Sequence, residues 1–251
     1  MSLQYSDVSA TGKDGILQHI EQTLGFPDAY ITGDATRLAQ WTAKINLALD
    51  KVSHIIFASD GKWQFDDSGH TTYNILTGNL VDGQRDYSFI QDSDGNLILD
   101  IHRVFVKISA SGIYYEVFPR DVQSDPEGEI SGFIDGQNTE GAPYTYDKTA
   151  TGIFLDPIPN ASVTAGLKVY VSREGSYFVT TDTTKKPGFA GLYHEYLVIE
   201  PSYNYARANN LPNKETLKRD VVEIEKAITE FYSKRDFHDI TVLGNEPIIY
   251  E

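Results

Sequence analysis

Leu97-Ile98-Leu99-Asp100-Ile101-His102-Arg103-Val104-Phe105-Val106-Lys107 is the stretch on which the fold reading turns. Leu97, Leu99 and Ile101 alternate with Ile98, Asp100 and His102, and Val104 and Val106 then alternate with Phe105 and Lys107. A period of two is the mark of a β-strand with one face on a core. Upstream, Tyr87 and Phe89 alternate with Asp86 and Ser88 in the same way. Turn signals recur around these runs at Asp82-Gly83, Asp94-Gly95, Ser111-Gly112 and Asp135-Gly136. Further strands are expected at 152–155 and 167–171, parted by Asp156-Pro157-Ile158-Pro159-Asn160. Closely spaced strands with polar turns predict an antiparallel sheet or a small sandwich across the middle of the chain.

Outside this region the period changes. Ile16, Leu17, Ile20 and Leu24 recur at helical spacing, closed by Gly25 and Pro27. A second helix is expected from an Asp34 N-cap, with Trp41, Ile45, Leu49, Val52 and Ile56 on one face. Helix returns after Pro187-Gly188, with Pro201 expected to kink or break it. Asn213 is read as the N-cap of a last helix, whose Leu217, Val221, Ile224, Ile228 and Phe231 form a heptad-like seam. The fold class expected is therefore α+β: a helical bundle from the N- and C-terminal helices, with an inserted antiparallel β-sheet or small sandwich. The expected division is a flexible arm at 1–12, a helical domain from 13–62 and 187–239, a β-rich domain at 63–186, and a contact arm at 240–251.

Composition narrows the function. The chain has 251 residues and a formal net charge of −15, with no Cys. Disulfides, thiolate metal sites and Cys nucleophiles are excluded. Charge of this sign disfavours a broad grip on phosphate. No apolar run reaches the roughly 20 residues that span a bilayer, and no signal peptide is read at the start. The six histidines (19, 54, 70, 102, 194 and 238) include no pair three to five residues apart, so no local helical zinc site is expected. Asp92-Ser93-Asp94-Gly95-Asn96 resembles a calcium loop, but Arg103 stands where the bidentate Glu would be. A hairpin turn is the better reading. Neither a phosphate loop nor a Gly-x-Ser-x-Gly elbow occurs. Residues 121–147 hold seven acids and no Lys or Arg, and are read as a solvated loop or hairpin. No catalytic residue, metal site or cofactor is expected.

Residues 141–209 carry a more specific pattern. They include Gly141-Ala142-Pro143-Tyr144, Gly152-Ile153-Phe154-Leu155-Asp156-Pro157-Ile158-Pro159 and Leu167-Lys168-Val169-Tyr170. Phe178, Asp182, Pro187-Gly188-Phe189, Tyr193-His194-Glu195-Tyr196-Leu197-Val198 and Tyr205-Ala206 follow. In this order the chain resembles the virion adaptor, or head-to-tail connector, proteins of tailed bacteriophages. Trp41, Trp63, Gly83-Gln84-x-x-Tyr87 and His102-Arg103-Val104-x-Val106 extend the likeness upstream. The resemblance implies a non-enzymatic structural protein of the virion neck, made in the host cytoplasm. Such adaptors close by rotation into a ring of about twelve copies between the portal protein and further neck or tail proteins. DNA passes through the ring without specific binding, and no membrane is involved. Ile240, Val242, Leu243, Ile248, Ile249 and Tyr250 make 240–251 unusually apolar, and are expected to bind the portal or a neighbouring subunit. Another tail or capsid structural protein, or a β-sandwich carbohydrate-binding module, is the alternative.

Overall fold

The computed structural model describes residues 3–7, 14–59, 75–93, 95–120 and 139–234. Two helices come first, α1 (Ile16–Leu24) and α2 (Ala35–Ser59). α1 ends where Gly25 takes φ 70°, a left-handed conformation that glycine adopts without a Cβ clash. α2 starts on the Asp34 carboxylate, whose Oδ1 accepts the N–H groups of Thr36 and Arg37, both at 2.9 Å. Nine strands follow: β1 (Ile75–Leu80), β2 (Asp86–Ser88), β3 (Ile98–Val106), β4 (Tyr115–Pro119), β5 (Glu140–Gly141), β6 (Thr145–Lys148), β7 (Gly152–Asp156), β8 (Ile158–Pro159) and β9 (Val163–Arg173). A 3₁₀ turn at Gly191–Tyr193 leads into α3 (Tyr196–Ala208), and α4 (Lys214–Ser233) is the last described helix.

The expected architecture needs correction. Among the described residues the protein is a mixed α/β chain dominated by one seven-stranded sheet curled into a half-barrel, with four helices, and not a helical bundle carrying a small inserted sheet. The strand order is β1-β9-β3-β4-β6-β7-β2, with β5 and β8 as a separate parallel pair. Pairing is antiparallel throughout the large sheet except between β4 and β6. Its curl follows from the connectivity. β1 and β2 are joined by a short turn, yet they occupy opposite ends of the strand order. The turn can reach only if the sheet bends round. Tyr87 of β2 closes the gap, its hydroxyl oxygen accepting the Val81 N–H at 3.0 Å. Sequence turn signals say where strands stop; they do not say that residues some eighty positions apart will pair.

One side of the sheet is a single hydrophobic cluster. Val104, Val106, Val117, Leu167, Val169 and Val171 are buried there, in register across β4, β3 and β9. The helices enclose a second cluster, in which Ile45, Leu49, Val52 and Ile56 of α2 meet Leu197 of α3 and Leu217, Val221 and Ile228 of α4. α3 runs unbroken through Pro201. Proline inside a helix costs about 3 kcal/mol, but α3 is packed against α1, α2 and α4, and that burial outweighs the lost bond. Asn213 stands before α4 without a side-chain cap bond.

Residues 3–7 of the expected flexible arm are held in place. Leu3 and Tyr5 are buried, the Tyr5 ring stacks on Phe178 at 5.0 Å, and its hydroxyl lies 2.6 Å from Thr42 Oγ1. Burial of these two side chains and the bonds from the Tyr5 and Ser6 N–H groups to the Lys185 and Thr183 carbonyls anchor it.

Candidate functional site

The helices and the sheet meet at a groove of about 460 Å³. Asp50, Ser53, His54 and Phe57 of α2 form one wall; Leu99 and Asp100 of β3, Ser172 of β9 and the following Glu174 and Tyr177 form the other. The Tyr177 hydroxyl donates to Asp50 Oδ1 at 2.8 Å and so bridges the walls. Burial and this carboxylate together hold the Tyr177 phenol well above its ordinary pKa.

Asp100 and Ser172 of the groove belong, with His102, to a Ser–His–Asp grouping that no sequence motif announces. His102 Nε2 lies 2.6 Å from Ser172 Oγ, and His102 Nδ1 lies 3.7 Å from Asp100 Oδ2. It differs from a catalytic triad at the third member. A triad carboxylate must bond Nδ1–H to fix the tautomer, and 3.7 Å exceeds hydrogen-bond reach. Asp100 is engaged elsewhere: its Oδ1 accepts the Ile101 N–H at 2.8 Å and the Lys148 ammonium at 3.0 Å. Ser172 is nearly fully enclosed on a central strand. His102 sits where β3 bulges between Ile101 and Arg103, so the bond to Ser172 ties an irregular strand to its neighbour.

A second, smaller cavity of about 260 Å³ lies between α1 and α3, lined by Leu3, His19, Thr23, Leu192, Glu195, Val198 and Ile199. In the calcium-like stretch, Asp92 Oδ1 accepts the Asn96 N–H at 2.8 Å, and Asp92 Oδ2 is 3.3 Å from Arg173. Among the described residues no three His, Cys, Asp or Glu gather as metal ligands. No described helix is long and apolar enough to cross a membrane.

Of the expected site residues, Ile240, Val242, Leu243, Ile248, Ile249 and Tyr250 all lie outside the described residues, as do 121–138 of the acidic stretch. The residues that carry the resemblance lie mostly in the framework. Gly152 of β7 abuts β2 so closely that a Cβ would come 2.1 Å from the Tyr87 carbonyl oxygen. Gly141 and Pro159 pair across β5 and β8. His194 is buried, with Nδ1 accepting the Leu3 N–H at 3.1 Å and Nε2 3.0 Å from the Phe189 carbonyl. Sequence reasoning missed the groove because its walls come from positions about fifty and a hundred and twenty residues apart. No known protein-family model matches the chain, and comparison with curated proteins gives no match.

Proposed function

We propose that the protein is a non-enzymatic structural subunit of a phage virion, an adaptor that forms a ring between the capsid portal and the tail and lets DNA pass without binding it. The observation that carries this reading is the ordered set of motifs in residues 141–209. Its support from the fold is that these residues do framework work: Gly152 permits a close strand approach, and Phe178, Phe189, His194 and Leu197 are core residues. A charge of −15 suits a wall that DNA must slide past. Ile240, Val242, Leu243, Ile248, Ile249 and Tyr250 supply the contact to the portal or to a neighbouring subunit in this reading.

The test is the mass and image of the purified chain, alone and mixed with a candidate portal protein. A closed ring that binds the portal is expected. A monomer that binds oligosaccharide, or one that turns over an ester through Ser172 and His102, would replace the adaptor reading with a binding module or an enzyme.

A further inference from the structure

The groove between α2 and the sheet is electrically one-sided. Three carboxylates line it, Asp50, Asp100 and Glu174, and no described Lys or Arg does. Asp100 is neutralised by Lys148 at 3.0 Å. The other cations close by in sequence are engaged outside the groove. Lys51 pairs with buried Glu200, Arg173 with Asp92 at 3.3 Å, and Lys185 with Asp182 at 3.8 Å. Among the described residues Asp50 and Glu174, on opposite walls, are therefore left without an ion-pair partner. Asp50 accepts a single side-chain bond, from the Tyr177 hydroxyl at 2.8 Å, and the Glu174 carboxylate accepts none. Both charges act on that hydroxyl: after burial, they are what holds the Tyr177 phenol above its ordinary value. The two carboxylates thus converge on one phenol.

Apolar surface completes the walls. Phe57 on α2 lines the same groove, as does Leu99 on β3, which is 51% exposed and so open to a ligand. A volume of about 460 Å³ falls within the roughly 300–1,000 Å³ of small-molecule sites. We infer that the groove binds a small organic amine, with its ammonium at Asp50 and Glu174 and its hydrocarbon body against Phe57 and Leu99. An ammonium brings the N–H donors that these carboxylates lack and makes charge-assisted bonds to them. It also relieves the repulsion between two negative charges beside one phenol. An anion meets that repulsion instead. A neutral polyol would leave both charges uncompensated. A bare divalent cation needs more oxygen ligands than gather here, since no three metal-ligating side chains come together among the described residues. The inference is independent of the ring reading, because the groove is complete within one chain.

The test is isothermal titration calorimetry of the full chain with 2-phenylethylamine. 2-Phenylethanol and phenylacetate present the same ring with a neutral and an anionic end. The amine is expected to bind saturably at one site per chain, about tenfold tighter than the alcohol and more weakly as salt rises. Phenylacetate should not bind. Asp50→Asn and Glu174→Gln, each checked for native circular dichroism, should bind the amine about tenfold more weakly, the factor that one charge-assisted hydrogen bond carries. Glu223→Gln removes an equal charge from an exposed position on α4 and should bind like wild type. The inference fails if the alcohol binds as tightly as the amine, or if Asp50→Asn and Glu174→Gln both titrate like wild type. It fails equally if Glu223→Gln weakens binding as much as they do, if the amine gives no saturable heat, or if calcium displaces it. None of these outcomes bears on ring formation, which sedimentation of the same samples reads separately.

Discussion

Asn46 holds the backbone of Phe178 with both ends of its amide: Oδ1 accepts the Phe178 N–H at 2.9 Å and Nδ2 donates to the Phe178 carbonyl at 3.0 Å. Asn46 lies on α2, and Phe178 lies in the segment leaving β9. This clip, with Tyr177 on Asp50 one residue earlier, fastens the sheet to the helices along the groove. Asn46→Ala should cost about 2 kcal/mol, because two backbone groups lose their partners in a partly buried place. A chain of this size should then melt about 4–8 °C lower. Asn46→Asp keeps the acceptor and should fall between. Thermal unfolding with Asn46→Ala unchanged would show that the clip contributes nothing.

Gly152→Ala should destabilise more than its size suggests. The new methyl would meet Tyr87 O at 2.1 Å and Ser88 Cα at 2.9 Å, both backbone atoms that a side-chain rotation cannot move. Strand β2 must shift from β7, for a loss of about 2–3 kcal/mol. Denaturant titration reads it directly, and a midpoint equal to wild type would contradict the packing argument.

Alkaline pH should unfold the protein through its buried phenols. Tyr196 is raised above the ordinary tyrosine value by burial first, and then by donating to Glu225 at 2.9 Å. Tyr5, Tyr87, Tyr115 and Tyr146 are raised mainly by burial. For a group raised in the folded state, the stabilisation is complete below the unfolded value near pH 10 and is lost as pH climbs above it. Melting temperature should therefore hold up to about pH 10 and then fall. Tyr196→Phe should flatten that fall while losing about 1 kcal/mol at neutral pH. A fall equally steep in the variant would count against Tyr196 as a contributor.

Removing residues 240–251 should leave the melting temperature of the remaining chain within a few degrees and abolish portal binding or ring formation. The apolar run Ile240, Val242, Leu243, Ile248, Ile249 and Tyr250 motivates this. A truncated chain that melts far lower, while its folded fraction still assembles, would assign the segment to the core instead.

The helices were legible because their information is local. The spacing of Trp41, Ile45, Leu49, Val52 and Ile56 is itself the buried face of α2, and Asp34 caps it as its side-chain chemistry predicts. The strand region was legible only as a period. Leu97, Leu99 and Ile101 look equivalent in sequence, yet Ile101 is buried while Leu97 and Leu99 are exposed. Two bulges in β3, at 98–100 and 101–103, shift its register against β9 and turn side chains to the other face. Nothing within the strand itself marks them; the partner does.

Residue order alone thus determined where the chain is helical, that its middle is strand-rich, its acidity and the absence of cysteine chemistry, since each is a property of neighbours or of sums. Only the tertiary structure decided that β9 lies between β1 and β3, that the sheet curls into a half-barrel, that residues 3–7 are anchored, and that Arg103, Lys107 and Lys168 share one face. Those facts depend on pairings between distant segments, whose free energy comes from burying a common core and so exists only once the chain has closed upon itself.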